Sequence, residues 1–376
     1  MLRLTVPALI LCCACAPRTA VPVDVASAGP LTTKAAAVAT KLVGASRFVV
    51  GVGSDDKDTA FSFGAPIDLR YRYLVGDWRT WNNPDGAFVL LSAKKAKDHG
   101  AVPMFTLYLM AGLGDGNTAI GQDAAAMSGF WDDVRVMFQQ LAAFGGPALV
   151  QFEPDFWGYA ERDSNDDPSA LFMHTRINPA CADLPDDVAG MGKCLVRMGR
   201  TLAPNTLLGF EASAWSAFEG GQPAPAKTAA FLAAVGAKEC DYISVEMLDR
   251  DAGCYEARGP GCQRNDGPWY WDATNQSSPS FREHFAWVAT LAGALELPVL
   301  WWQIPLGVPS DTPGGVPGAY RDNRVRYIFS HLDELASIGG FGVAFGPGAT
   351  GQTTITSDGG QLRDAINAYR ASLIGR

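Results

Sequence analysis

Three short apolar runs in the middle of the chain each carry a glutamate near their end, with polar and apolar residues alternating around it. In Gln151-Phe152-Glu153-Pro154-Asp155 a strand would place Gln151, Glu153 and Asp155 on one face and Val150 and Phe152 on the other, because successive strand side chains point to opposite faces. Farther along, Glu211, Ser213 and Trp215 share one parity, and Ser244 and Glu246 alternate with Ile243 and Val245. Carboxylates crowded into a partly dry site raise one another's pKa. A protonated acid beside an ionised carboxylate is the pair that cleaves a glycosidic bond. On this reading Glu153 is the general acid, its pKa raised by desolvation and by the charge of Glu211 or Glu246, and Glu246 or Glu211 is its partner. The competing reading makes the glutamates an internal ion-pair network with Arg70 and Arg72, since buried networks of this kind also perturb pKa values.

The tryptophans extend the argument to a ligand. Of ten, only Trp131 and Trp287 fall in helix-period segments; Trp78, Trp81, Trp157, Trp215, Trp269, Trp271, Trp301 and Trp302 fall on strand-like runs or the loops after them. Aromatic faces stack on the apolar C–H faces of sugar rings, although a single Trp is more often core. Trp269-Tyr270-Trp271, after Asn265-Asp266-Gly267-Pro268, is the expected exposed platform, while Trp301 and Trp302 must face opposite ways. Asp155, Trp157, Arg72, Asp77, Trp78, Tyr108, Trp215, Trp269, Trp271, Trp302 and Gln303 complete the expected substrate-binding set.

Other chemistries lack their residues. A net charge of −9 without a basic run excludes a nucleic-acid footprint, because phosphate binding needs clustered Lys and Arg. The one CxxC spacing, Cys12-Cys13-Ala14-Cys15, falls at the extreme N-terminus beside an apolar run, and there is no HExxH and only four His, so neither a metal nor a cofactor is expected. An esterase or amidase would need a GxSxG elbow with His partners, which the chain does not contain. The expected ligand is therefore a carbohydrate bound by a monomer.

What must hold these residues is a repeated strand and helix. Eight apolar runs, Phe48–Ser54, Ile67–Val75, Val102–Met110, Pro147–Asp155, Thr206–Trp215, Asp241–Leu248, Leu297–Gly307 and Gly340–Gly348, read as strands. Helix-period segments separate them at Asp85–His99, Gly129–Phe144, Pro185–Leu202, Lys227–Ala237, Phe281–Leu295, Arg321–Ile338 and Gln361–Leu373, leaving only the first connection without a helix. Alternation of this kind gives parallel strands with crossover helices, and eight units suit a single closed (β/α)8 barrel. An open doubly wound sheet would show a glycine-rich phosphate loop after its first strand, and Val50-Gly51-Val52-Gly53-Ser54 is too short for one. In such barrels catalytic residues leave the C-terminal ends of the strands, where all three glutamates fall.

A fourth strand ending in Glu153-Pro154 resembles the acid/base strand of clan A glycoside hydrolases, retaining (β/α)8 enzymes with a second Glu at the end of the seventh strand. The resemblance implies a glycosidase with Glu153 as acid/base, yet the seventh run offers Gln303 in Trp302-Gln303-Ile304, and a neutral amide cannot be a nucleophile. Strands four and six are separated by one strand, which favours a wider carboxylate spacing and inversion if Glu246 is the base. Gln303, Arg72 and Tyr108 would then bind substrate hydroxyls. Gln303 also motivates the alternative of a surface carbohydrate-binding lipoprotein that keeps the barrel without turnover.

Arg3 followed by an apolar run from Leu4 to Leu11 and then Cys12-Cys13-Ala14-Cys15 reads as an export signal, too short to span a bilayer. The Cys after a small residue resembles the lipobox of bacterial lipoproteins, with Cys15 as the acylated residue and the only attachment to a membrane. Residues 1–15 are thus read as signal, 16–40 as a tether and 41–376 as the barrel. In an oxidising compartment Cys254 and Cys262 are expected to pair first, Cys181 and Cys194 second, with Cys240 a buried free thiol.

Overall fold

The computed structural model describes residues 25–26, 28–53, 58–114, 116–247, 255, 258–259, 263, 267–306, 324–346 and 354–374. Strands β1 (Val49–Gly53), β2 (Leu69–Leu74), β3 (Val102–Leu107), β4 (Ala148–Phe152), β5 (Thr206–Ala212), β6 (Tyr242–Val245), β7 (Val299–Ile304) and β8 (Gly340–Phe345) pair in parallel, each with its neighbours in sequence. β1 pairs with both β2 and β8, so the sheet closes into the expected (β/α)8 barrel. A two-stranded hairpin, Phe218–Glu219 with Gln222–Pro223, turns at Gly220 and Gly221 in the loop after β5.

The helices are α1 (Thr33–Val43), α2 (Phe88–Asp98), α3 (Ala124–Phe144), α4 (Phe156–Asp163), α5 (Val188–Leu202), α6 (Pro225–Ala234), α7 (Phe281–Leu295), α8 (Arg324–Ser330), α9 (Leu332–Ser337) and α10 (Gln361–Ser372). Three features depart from the expected pattern. The segment read as a tether becomes helical at Thr33: Ala35, Val38, Ala39 and Leu42 recur at helical spacing, Thr32 caps the start and Gly44, at φ 69°, ends it. These side chains pack with Val49, Leu69, Val102 and Phe341 at the N-terminal ends of the strands, so α1 closes the bottom of the barrel. The second departure is α4, which begins directly after Asp155 and was hidden by its shortness, eight residues in FWGYAERD. The single helix expected over 321–338 is two, divided at His331, whose backbone lies outside the helical region.

Strand parity sorts the core. Leu69, Tyr71, Met104, Leu149, Leu207, Tyr242, Leu300 and Trp302 fill the barrel, while Val50, Phe105, Val150, Phe152, Phe210, Val245 and Trp301 meet the helices. Burying one such side chain contributes roughly 1.5–3 kcal/mol. Two aromatics demand glycine opposite them: a Cβ on Gly53 would stand 2.1 Å from the Tyr71 ring, and one on Gly209 2.5 Å from Tyr242. Beneath the strand ends a polar layer is satisfied across the interior. Thr106 Oγ1 donates to Gln151 Oε1 at 2.9 Å, Gln151 Nε2 donates to Ser244 Oγ at 2.8 Å, and Ser244 Oγ donates to the Phe210 carbonyl at 3.1 Å.

Cys181 and Cys194 form a disulfide across 13 residues of sequence, and Cys240 is a buried free thiol. Cys254, Cys262 and Cys15 lie outside the described residues, as does the whole segment read as a signal. Among the described residues no helix is long and apolar enough to cross a membrane.

Candidate active site

Where β5 and β6 end, Glu211 and Glu246 come together with Asp155. Glu211 is 1 % exposed. It accepts from Ser213 Oγ at 2.9 Å and stands against the backbone N–H of Asp155. Burial raises its pKa well above the usual carboxylate range, and the charges of Glu246 and then Asp155 raise it further. Glu246, 8 % exposed, accepts from Trp215 Nε1 at 3.3 Å. Asp155, half-buried, accepts from the Tyr108 hydroxyl at 2.8 Å. The group is an acid biased toward its protonated form, beside two further carboxylates and the edge of an indole.

Glu153 stands apart from this group. The strand period that placed it beside Gln151 and Asp155 ends at Phe152: Glu153 has φ 38° and Asp155 φ 68°, so the chain coils out of the pleat and into α4. The Glu153 carboxylate is fully buried and accepts from the backbone N–H groups of Leu109 and Met110 at 3.1 and 3.0 Å. Burial pushes its pKa up to about 8, partly opposed by those two hydrogen bonds, and neither Glu211 nor Glu246 contributes. The expected charge coupling of Glu153 to the other glutamates is corrected accordingly. The coupling runs between Glu211, Glu246 and Asp155.

The competing reading paired the glutamates with Arg70 and Arg72, but among the described residues the arginines pair elsewhere. Arg70 and Arg72 lie on the outward parity of β2 and pair with Asp58 at 3.1 and 3.8 Å; Arg72 further lies over the Phe88 ring, 5.0 Å from its centre. Arg72 is therefore on the helix side of the sheet rather than in the mouth.

The tryptophans divide. Trp215 is half-buried, 4.8 Å from the Tyr159 ring, and its ring lies so close to Gly158 that a Cβ there would be 2.7 Å away. Trp302 is inside the barrel, 6.1 Å from Tyr71 and 5.8 Å from Tyr73, and Tyr73 continues to Tyr108 at 5.9 Å. This aromatic ladder leads from the interior to Asp155. Tyr73 was missed in the sequence, although its parity with Tyr71 marks it as inward. Trp301 faces outward, as opposed parity requires, and donates to His284 Nε2 at 3.1 Å.

Three tryptophans expected at the mouth are core. Trp78 is fully buried, and Trp157 packs 4.7 Å from Phe210 while donating to the Phe152 carbonyl. Trp271, 5 % exposed, sits between Phe281 and His284 with the Arg324 guanidinium 4.7 Å over its ring. Of the expected platform, Trp269 and Tyr270 are half-buried, Trp269 against Tyr255. Asp77 is exposed on the loop after β2 and accepts from Trp81 Nε1 at 2.9 Å. Gln303 is half-buried on β7 at φ 51°, where the register with β8 slips. A bulge of this kind re-aims side chains at barrel rims.

No protein-family model and no curated protein sequence matches this chain. Solved structures do. A double mutant of the Cellulomonas fimi endo-beta-1,4-mannanase superposes with a TM-score of 0.54 at 10 % identity, over 92 % of this chain and 75 % of that one. A modular endo-beta-1,4-mannanase from the same organism, of glycoside hydrolase family 26, gives 0.53 at 12 % identity over 94 % and 76 %. At these identities the likeness is one of fold: the chain adopts a (β/α)8 barrel like those of these mannanases.

Proposed function

We propose that the protein is a glycoside hydrolase acting on an oligo- or polysaccharide through Glu211 and Glu246. The observation that carries the reading is the pairing of a buried Glu211, whose pKa is raised by burial and by the charges of Glu246 and Asp155, with Glu246 at the end of the next strand. Glu211 then serves as the acid that protonates the leaving oxygen, and Glu246, aligned by Trp215, as the ionised partner acting on water or on the anomeric carbon. Tyr108 fixes Asp155 beside them, while Trp215 and the Tyr73–Tyr108 edge offer faces to sugar rings. The mannanase fold supports the reading. The Cys181–Cys194 disulfide supports an exported chain, since such bonds persist in oxidising compartments.

A second reading, a carbohydrate-binding lipoprotein without turnover, is favoured by Gln303 on β7 and by the engagement of Glu153 with loop backbone. Release of new reducing ends from a panel of β-linked polysaccharides tests the choice. Hydrolysis by the wild type, lost in Glu211→Gln and Glu246→Gln, is the expected result. Saturable binding with no new reducing ends on any bound glycan would establish the second reading.

A further inference from the structure

A further buried carboxylate lies behind the mouth. Glu161, on α4, is 1 % exposed. Its Oε2 is in hydrogen-bond contact with Ser216 Oγ, which is itself 2.8 Å from the Ser213 carbonyl and 3.2 Å from Thr228 Oγ1. Ser213 and Ser216 bracket Trp215 in the connection leaving β5, so this turn carries two side chains that reach the carboxylate pair: Ser213 Oγ on Glu211 and Trp215 Nε1 on Glu246.

The hydrogen count at Ser216 is informative. One hydroxyl proton faces two acceptors, the Glu161 carboxyl and the Ser213 carbonyl, and cannot serve both. With the proton on Glu161, that carboxyl donates to Ser216 Oγ and the Ser216 hydroxyl is released to the Ser213 carbonyl. Burial, which pushes the Glu161 pKa up to about 7 against its hydrogen bonds to Ser216 and Thr228, is consistent with a proton there. The remaining charges near it, Asp166 and Lys227, are paired with each other at 3.2 Å.

We propose, resting on the reading of Glu211 and Glu246 as acid and partner, that Glu161 is a positioning residue. Through Ser216 it locks the Ser213–Ser216 turn onto α4 and so holds Ser213 on Glu211 and Trp215 on Glu246. Gly158 and Tyr159, just before Glu161 on α4, form the bed on which the indole is held.

The test follows the indole N–H of Trp215 by 15N–1H NMR in the full chain, assigned with Trp215→Phe, together with kcat on a cleaved glycan. Glu161→Ala should move the Trp215 resonance and lower kcat by about tenfold to a hundredfold, the scale of a small misplacement of reacting groups. Glu161→Gln, whose amide can still donate to Ser216, should restore both. Ser216→Ala, a smaller change, should reproduce the Glu161→Ala shift. A Trp215 resonance unmoved by Glu161→Ala and Ser216→Ala, or a Glu161→Gln protein that behaves like Glu161→Ala, would overturn the proposal. If no glycan is cleaved by the wild type, the enzymatic reading fails while the resonance still decides whether Glu161 positions the turn.

Discussion

Two glutamates that look alike in the sequence are separated by what their carboxylates touch. Glu211 faces other carboxylates, and Glu153 faces two backbone N–H groups. If Glu211 is the acid as proposed, Glu211→Gln removes the transferable proton and should lower kcat on natural glycans by about 10²- to 10⁴-fold, with a smaller loss on aryl glycosides whose leaving groups need less protonation. Glu153→Gln turns an amide N–H₂ toward a backbone donor, so one buried hydrogen bond is lost. The variant should be destabilised by roughly 1–3 kcal/mol in urea unfolding while the folded enzyme keeps its kcat. A kcat collapse in well-folded Glu153→Gln would return the acid role to that residue. The Glu211–Glu246 coupling gives a separate test with a definite sign. Negative charge on Glu246 raises the pKa of Glu211; Glu246→Gln removes that charge, so Glu211 should lose its proton at lower pH. Carboxyl 13C NMR titration of Glu211 should show the midpoint falling in the variant, and an unchanged midpoint would mean that Glu246 does not contribute and that burial and Asp155 set it.

At the scale of elements, what the sequence could convey depended on where a period held. Inside the strands it held. Leu149 and Gln151, Tyr71 and Tyr73, and the opposed Trp301 and Trp302 all fall on the faces that alternation assigns. It failed where strands stop, because a period of two carries no information about its own end. After Phe152 the backbone takes positive φ at Glu153 and Asp155 and α4 starts at once, which removes Glu153 from the expected face and takes Trp157 into the core. Trp271 failed for a different reason. Its loop sequence is polar, but Phe281 and His284 of α7 fold over the indole, and only the tertiary structure brings them there. The consequence reverses the effect expected from the sequence. Trp271→Ala should cost about 3–5 kcal/mol of stability and leave KM of the folded enzyme unchanged. Trp215→Ala should instead weaken saccharide binding and lower kcat together, since the same side chain offers a face to the ligand and a donor to Glu246. Calorimetric unfolding and steady-state kinetics on both variants separate the two cases, and a KM effect confined to Trp271→Ala would place the platform back on that loop.

The whole molecule carries its net charge of −9 with several acids buried inside it. Glu153, Glu161 and Glu211 all have raised pKa values, the first two to about 8 and about 7. For such a group the folded state holds its proton more tightly than the unfolded chain, so its stabilising effect is complete below the unfolded pKa, near 4.3. That effect is lost as pH rises through the folded value. Asp58 and Asp272 work in the opposite sense, their pKa values lowered against burial by Lys95 and the nearby arginines in the first case and chiefly by hydrogen bonds from Thr274 in the second. Their stabilisation is lost only on acidification below the ordinary carboxylate range. His284 opposes them inside the window, because burial pushes its pKa down to about 3, so its stabilising effect is full only above the unfolded value near 6.5. Three buried glutamates act against this one histidine between about pH 4.5 and 8, and the fold should be most stable near the acid end of that window. Melting temperatures measured across it at constant ionic strength should decline as pH rises. Glu161→Gln, which keeps the donor to Ser216 and removes the titration, should flatten part of the decline. A profile that instead rises toward pH 8 would show that these carboxyls are ionised in the folded protein at little cost, and with it the case for Glu211 as a proton donor at neutral pH would fall.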